Sequence, residues 1–186
     1  MKLAHSLNTS LVRLGCILAL VVALVIPRWV SAGGATLKEG DTFPELTQFP
    51  IEGKLPDTLK GKIVVVDFWA SWCGPCKESF PVMEELQARF GKQGLVILAV
   101  NVDENRAAMD EFLKDHPSTF TIVRDAKKKL VSQVNIQSMP TSFVLNGDGK
   151  IVSVHKGFHG AETRKKYVQE IEDLVKKTSA ATVKNP

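Results

Sequence analysis

Two largely apolar runs constrain this chain most. Ile63-Val64-Val65-Val66-Asp67-Phe68 and Leu95 to Val102 are short and β-branched. Their lack of polar alternation predicts strands buried on both faces. Between them Phe80, Met83, Leu86 and Phe90 recur at helical spacing. That spacing predicts a helix from about Cys73 to Phe90, kinked at Pro81 and stopped by Gly91 and Gly94.

The same reading extends along the chain. Leu46 to Leu59 carries apolar pieces broken by Pro50, Gly53 and Pro56, which suggests a small irregular hairpin. Asn105 to Asp115 is a helix candidate, Phe120 to Val123 a short strand and Lys127 to Val134 a short helix. Thr141 to Leu145 and Ile151 to His155 read as strands joined by the Asn146-Gly147-Asp148-Gly149 turn. Ala161 to Lys177 closes the fold with Tyr167, Val168, Ile171, Leu174 and Val175 on one helix face. Strands alternating with helices, then a hairpin and a last helix, predict an α/β sandwich with a mixed central sheet. Residues 41–178 form this domain, 33–40 a flexible lead-in and 179–186 a polar tail.

The first 32 residues read differently. Lys2 and Arg13 precede an apolar stretch from Leu14 to Ile26, and Val30-Ser31-Ala32 offers small residues for cleavage. This is the pattern of an export signal, so the mature chain is expected to start at Gly33. Thirteen apolar residues fall short of the ~20 that span a bilayer, so an uncleaved N-terminal membrane anchor is the lesser alternative. Lys2, Arg13 and Arg28 all lie in this segment, which lacks Asp and Glu; without it the formal charge falls from +4 to +1. Such a balance gives no electrostatic case for a nucleic-acid partner.

With Cys16 assigned to the signal, two cysteines remain, Cys73 and Cys76, in Trp72-Cys73-Gly74-Pro75-Cys76-Lys77. They sit where a buried strand ends and a helix begins. The first turn of a helix leaves N–H groups unpaired and carries about half a positive charge, which stabilises an adjacent thiolate. Cys73 is therefore the expected nucleophile, and Cys76, one turn further on, resolves the mixed disulfide. A structural zinc site lacks a second cysteine pair, and 78 residues separate His155-x3-His159 from Cys76. Haem attachment needs His at position 77, where Lys77 stands. No metal and no cofactor are assigned.

Three further features bear on chemistry. Asp67 interrupts an apolar strand six residues before Cys73. Either its carboxylate reaches solvent or backbone donors, or burial raises its pKa and it takes the proton of Cys76. Ser138-Met139-Pro140-Thr141 sets a proline before a strand, marking an edge or a special bend, with a trans bond as the ordinary expectation. Trp69 reads as a packing residue and Trp72 as a cover over the cysteines. His116 and His155 read as surface or strand-end residues, and Lys127-Lys128-Lys129 as a solvated helix face.

The stretch from Val64 to Lys77 is very similar to the active-site region of thioredoxins, and Met139-Pro140-Thr141 resembles that family's second signature. Sixty-three residues separate Cys76 from Pro140, which leaves room for an extra helix and strand between Asn105 and Val123. With the export signal and the opening Gly40-Asp41-Thr42-Phe43-Pro44, the chain resembles the TlpA and ResA group of extracytoplasmic thioredoxin-like proteins. The resemblance implies a thioredoxin-like three-layer sandwich with that helix-strand insertion. It also implies a cis Pro140 facing the cysteines, a Met139 backbone free to pair with an extended substrate, and a buried-acid role for Asp67. Trp72, Gly74, Pro75, Met139, Pro140 and Thr141 would then contact substrate, and Gly157 fits the pattern after the last strand. Many members carry Glu at the third position after the second cysteine; here it is Ser79, so that acid's role does not transfer.

The expected function is that of a periplasmic thiol:disulfide oxidoreductase. It would reduce protein disulfides, in cytochrome c or copper-protein assembly, and draw electrons from a membrane or periplasmic thiol donor. A disulfide oxidase or isomerase would use the same pair at a higher potential. A thiol peroxidase would place Thr where Ala70 stands, and a copper carrier would space its cysteines by three and add a downstream His.

Overall fold

The computed structural model describes residues 36–184, with side chains to residue 180, so the expected export signal lies outside the described residues. Five strands form one sheet: β1 (Ile63–Trp69), β2 (Leu95–Asn101), β3 (Thr121–Arg124), β4 (Thr141–Leu145) and β5 (Ile151–Lys156), ordered β3-β2-β1-β4-β5. The helices are α1 (Gly74–Phe90), α2 (Arg106–Asp115), α3 (Lys129–Gln133) and α4 (Ala161–Lys184). β2 pairs parallel with β1 and β3, while β4 runs antiparallel to both β1 and β5, so the sheet is mixed as expected.

β1 occupies the centre, and all seven of its residues are buried. That burial explains why every residue of β1 but Asp67 is apolar, since each successive side chain points to the opposite face and both faces are covered. On one face Trp69 meets Phe80 of α1 at 4.7 Å and Phe112 of α2 at 4.8 Å, and Phe80 meets Phe112 and Phe120 at 4.9 and 5.4 Å. The inserted helix is therefore part of the core. α4 lies beside α1 on this face, where Arg89 pairs with Glu172 and Arg164 with Glu85. On the other face Phe68 and Phe143 pack with Phe43 from the segment preceding β1.

Three local expectations are corrected. Leu46 to Leu59 forms no hairpin; a single 3-10 turn at Leu46–Gln48 is followed by an isolated bridge from Glu52 to Arg124. Pro50 and Pro56 lack the N–H groups that a paired ribbon would use. α4 runs past Lys177 to Lys184, and within this added stretch the hydroxyls of Thr178 and Ser179 donate to the carbonyls of Leu174 and Val175 one turn back. α3 starts at Lys129 rather than Lys127, since Lys128 is left-handed at φ 53° and the Asp125 carboxylate caps the next turn through the N–H groups of Lys129 and Val131. The three lysines are solvent-exposed all the same. α1 continues through Pro81 without a break, and Gly40 of the expected lead-in donates its N–H to Ile151 O.

Removing the ring that joins α1, α2 and β1 tests this core. Phe80→Ala is expected to cost about 3–5 kcal/mol in denaturant unfolding of the oxidised protein; a loss below about 1 kcal/mol would contradict the packing described.

Candidate active site

The site is assembled where β1 ends. Its last residue, Trp69, is anchored in the aromatic core, and the chain leaves the sheet through Ala70, Ser71 and Trp72 before α1 begins at Gly74. This exit loop is held from outside itself. The Asp103 carboxylate, only 3% exposed, accepts the Ser71 N–H at 3.0 Å and the Asn101 side-chain amide at 2.8 Å. Arg124 then fixes the turn carrying Asp103 by donating to the carbonyls of Asp103 and Glu104 while pairing with Glu52 at 2.8 Å.

Cys73 is the N-cap of α1, and its Sγ accepts the Cys76 N–H at 3.2 Å. Pro75 falls in the first helical turn, where no N–H is needed, and no acidic residue occupies that turn to offset its positive end. Cys73 and Cys76 are joined by a disulfide. Cys73 is 5% exposed and Cys76 fully buried, while Gly74 and Pro75 are exposed at the tip. The sulfur nearer solvent is thus the one at the helix end.

Asp67 is completely buried on the face of β1 that also carries Trp69, and so on the side covered by α1 and α4. Its Oδ1 accepts the Ser142 hydroxyl at 2.5 Å, and Ser142 in turn accepts the Tyr167 hydroxyl at 2.6 Å. Oδ2 has no hydrogen-bond partner among the described residues. Burial pushes the carboxyl up to about 7, against the opposing pull of the Ser142 bond. Burial, then the nearby Asp67 charge, also drives the Tyr167 phenol well above its ordinary range. The carboxylate therefore neither reaches solvent nor collects backbone donors.

The β1–β4 register sets Thr141 beside Phe68, which brings the preceding proline to the same end of the sheet. The Met139–Pro140 bond is cis rather than the ordinary trans. Thr141 closes this bend by donating its hydroxyl to Ser138 O at 2.7 Å, and Gly157 N–H donates to Pro140 O at 2.7 Å. Gly157 has φ +79°, a conformation natural to glycine and strained for any other residue. Met139 and Trp72 line one open pocket of about 500 Å³ with Val102, Ala108 and Val131, rimmed by the Lys128–Glu104 ion pair.

The structure thus gathers Cys73, Cys76, Trp72, Gly74, Pro75, Met139, Pro140 and Thr141 at one end of the sheet, with Asp67 beneath them in β1. Trp72 is 71% exposed and is not packed down as a cover. The histidines, at the end of β5 and just past the end of α2, make contacts that the sequence does not show. His155 sits 2.8 Å from Glu170 and stacks on Tyr167, and His116 stacks on Phe112. Sequence reading missed Ser142, Tyr167, Asp103 and Arg124. Tyr167, the single tyrosine, had been counted by its ring, and only its hydroxyl distinguished it.

Comparison with known proteins agrees with this geometry. The model of the Redoxin family matches residues 38–171. The thiol-disulfide oxidoreductase ResA of Bacillus subtilis is 37% identical over 151 residues, covering 78% of this chain and 84% of that protein. A crystal structure described as a DsbE-type thiol:disulfide interchange protein from Chlorobium tepidum has a TM-score of 0.69 at 34% identity, covering 75% of this chain and 99% of that one. StoA from Bacillus subtilis gives a TM-score of 0.52 at 32% identity over 59% of this chain and 84% of its own. With its bonded cysteine pair at a helix end and its mixed sheet, the chain belongs to the Redoxin family, as a thioredoxin-like thiol-disulfide oxidoreductase of the ResA type.

Proposed function

We propose that this protein is an exported, periplasmic reductant of disulfides in selected proteins, of the kind that cytochrome c or copper-protein assembly requires. The observation that carries the reading is the Cys73 Sγ seated on the Cys76 N–H at the start of α1, where a thiolate gains both a donor and the helix dipole. In the reduced protein the Cys73 thiolate attacks a substrate disulfide, forming a mixed disulfide and expelling one substrate sulfur as thiolate. Cys76 then loses its proton to Asp67, and its Sγ attacks Cys73 Sγ. This forms the Cys73–Cys76 bond and frees the second substrate sulfur. Two electrons pass from the pair to the substrate, and a thiol donor in the same compartment restores the pair.

Two features support a protein substrate. Trp72 is the exposed large hydrophobic residue of the described chain, and it shares its pocket with Met139. Met139 makes no hydrogen bond among the described residues, which leaves its backbone available to an extended segment. Export rests on the apolar stretch from Leu14 to Ile26 with its small residues after it. Among the described residues no helix is long and apolar enough to cross a membrane.

Cys76→Ala removes the resolving sulfur, so in the native compartment this variant is expected to accumulate mixed disulfides between Cys73 and exported proteins. Recovery of unmodified Cys73 alone, with no covalent partner, would contradict the proposal. Asp67→Asn is expected to slow resolution at least about 10-fold while mixed disulfides still form; unchanged turnover would remove Asp67 from the mechanism. Asp67 also makes the stability of the oxidised protein depend on pH. The unfolded carboxyl releases its proton near 3.8 and the native one at about 7, so between these values the native state binds more protons and its stability falls as pH rises. The decline is on the order of 4 kcal/mol, and Asp67→Asn is expected to flatten that part of the curve in chemical denaturation measured from pH 4 to 8.

A further inference from the structure

We propose that Tyr167 and Ser142 are positioning residues for Asp67, forming a one-way chain of hydroxyl hydrogen bonds that reserves Oδ1 as an acceptor and confines the exchangeable proton to Oδ2. The inference rests on the reading of Asp67 as the proton acceptor for Cys76 and adds the atom and the groups that select it.

The direction of the chain follows from counting protons. Tyr167 and Ser142 each carry a single hydroxyl proton. With Tyr167 donating to Ser142 at 2.6 Å and Ser142 to Asp67 Oδ1 at 2.5 Å, both protons are used. Before the resolving step Asp67 is ionised and can only accept, so Ser142 donates its one proton to Oδ1 and can meet the Tyr167 hydroxyl only by accepting from it. The reverse order would leave a hydroxyl proton without an acceptor in residues 1–2% exposed, which is unfavourable. Oδ2, without a hydrogen-bond partner among the described residues, is the atom left open to an incoming proton.

The surroundings hold this arrangement in place. The Tyr167 ring is stacked on His155 at 4.3 Å, and His155 and Ser153 both meet the Glu170 carboxylate, at 2.8 and 2.7 Å. Burial raises the Glu170 carboxyl, but these two bonds and the His155 charge outweigh it and hold it below the usual range. The titratable group that reaches Asp67, through Ser142, is therefore Tyr167 from α4, with His155 and Glu170 behind its ring, while Cys76 is buried in α1, the helix that covers this face of β1. Among the described residues no Lys or Arg forms an ion pair with Asp67. The hydroxyl chain is the polar contact that distinguishes its two oxygens.

In the resolving step, the Cys76 S–H bond breaks and its proton goes to Oδ2. The Cys76 electron pair forms the bond to Cys73 Sγ, and the substrate sulfur leaves with the electrons of the broken mixed disulfide. Ser142, already donating to Oδ1, stabilises the carboxylate form that must be present beforehand.

The test is the pH profile of the resolving step in the full-length protein, with the Asp67 carboxyl followed by carbon NMR. Ser142→Ala is expected to move both midpoints up by about one pH unit, and Tyr167→Phe to move them in the same direction by less. Ser142→Thr, which keeps the hydroxyl, is expected to restore the original profile. In an Asp67→Asn background, adding Tyr167→Phe is expected to change the rate less than 2-fold. An equal effect of Tyr167→Phe in both backgrounds would assign it a merely structural role and overturn the inference. Midpoints unmoved by Ser142→Ala, with Asp67→Asn still slow, would overturn the inference alone. A normal rate in Asp67→Asn would overturn both it and the reading beneath it.

Discussion

The sulfur chemistry of this molecule depends on the first turn of α1 ending on a sulfur atom. Most helices leave their first N–H groups to water or to an oxygen cap. Here the cap is Cys73 Sγ, which takes the Cys76 N–H in the disulfide-bonded protein, so the helix end already presents a donor to the sulfur. The rest of the fold holds that turn still. The aromatic packing of Trp69 with Phe80 and Phe112 fixes both ends of the loop, and the path from Glu52 through Arg124 and Asp103 to the Ser71 N–H fixes its middle. A nucleophile aimed by a rigid loop loses little freedom when it reacts.

Beneath that turn the protein accepts an unfavourable feature. An acid fully buried in a central strand costs stability whenever it ionises. The cost is limited by one hydroxyl, Ser142, itself held by Tyr167. Two residues at a buried position usually taken by apolar side chains thus serve the acid rather than the core. On α1 the third position after Cys76 is Ser79, whose hydroxyl donates to Cys76 O at 2.9 Å, and Asp67 is the buried carboxylate on this face of β1.

Much of this was legible in the sequence. The buried strands, the helix after the cysteines and the final hairpin each follow from one local pattern, and the positions of Cys73 and Cys76 follow from the strand-to-helix junction. What was not legible depends on contacts distant in sequence. Whether Asp67 is solvated or buried is decided by Ser142 and Tyr167, which lie far along the chain and reach it through sheet register and helix placement. Asp103 serves Ser71 from 32 residues away. The cis bond at Pro140 runs against the ordinary preference and was foreseen through family resemblance alone. Leu46 to Leu59 defeated local pattern reading because its apolar pieces dock singly on the sheet.

The account is tested most directly by the pH dependence of Cys73 alkylation in the reduced protein, with Cys76→Ala used to isolate the one sulfur. A helix-capping thiolate predicts a rate that reaches half its plateau below about pH 7.5. A midpoint near 8.5, the value of an ordinary cysteine, would show that the helix end does not activate the sulfur and would contradict the mechanism built on it.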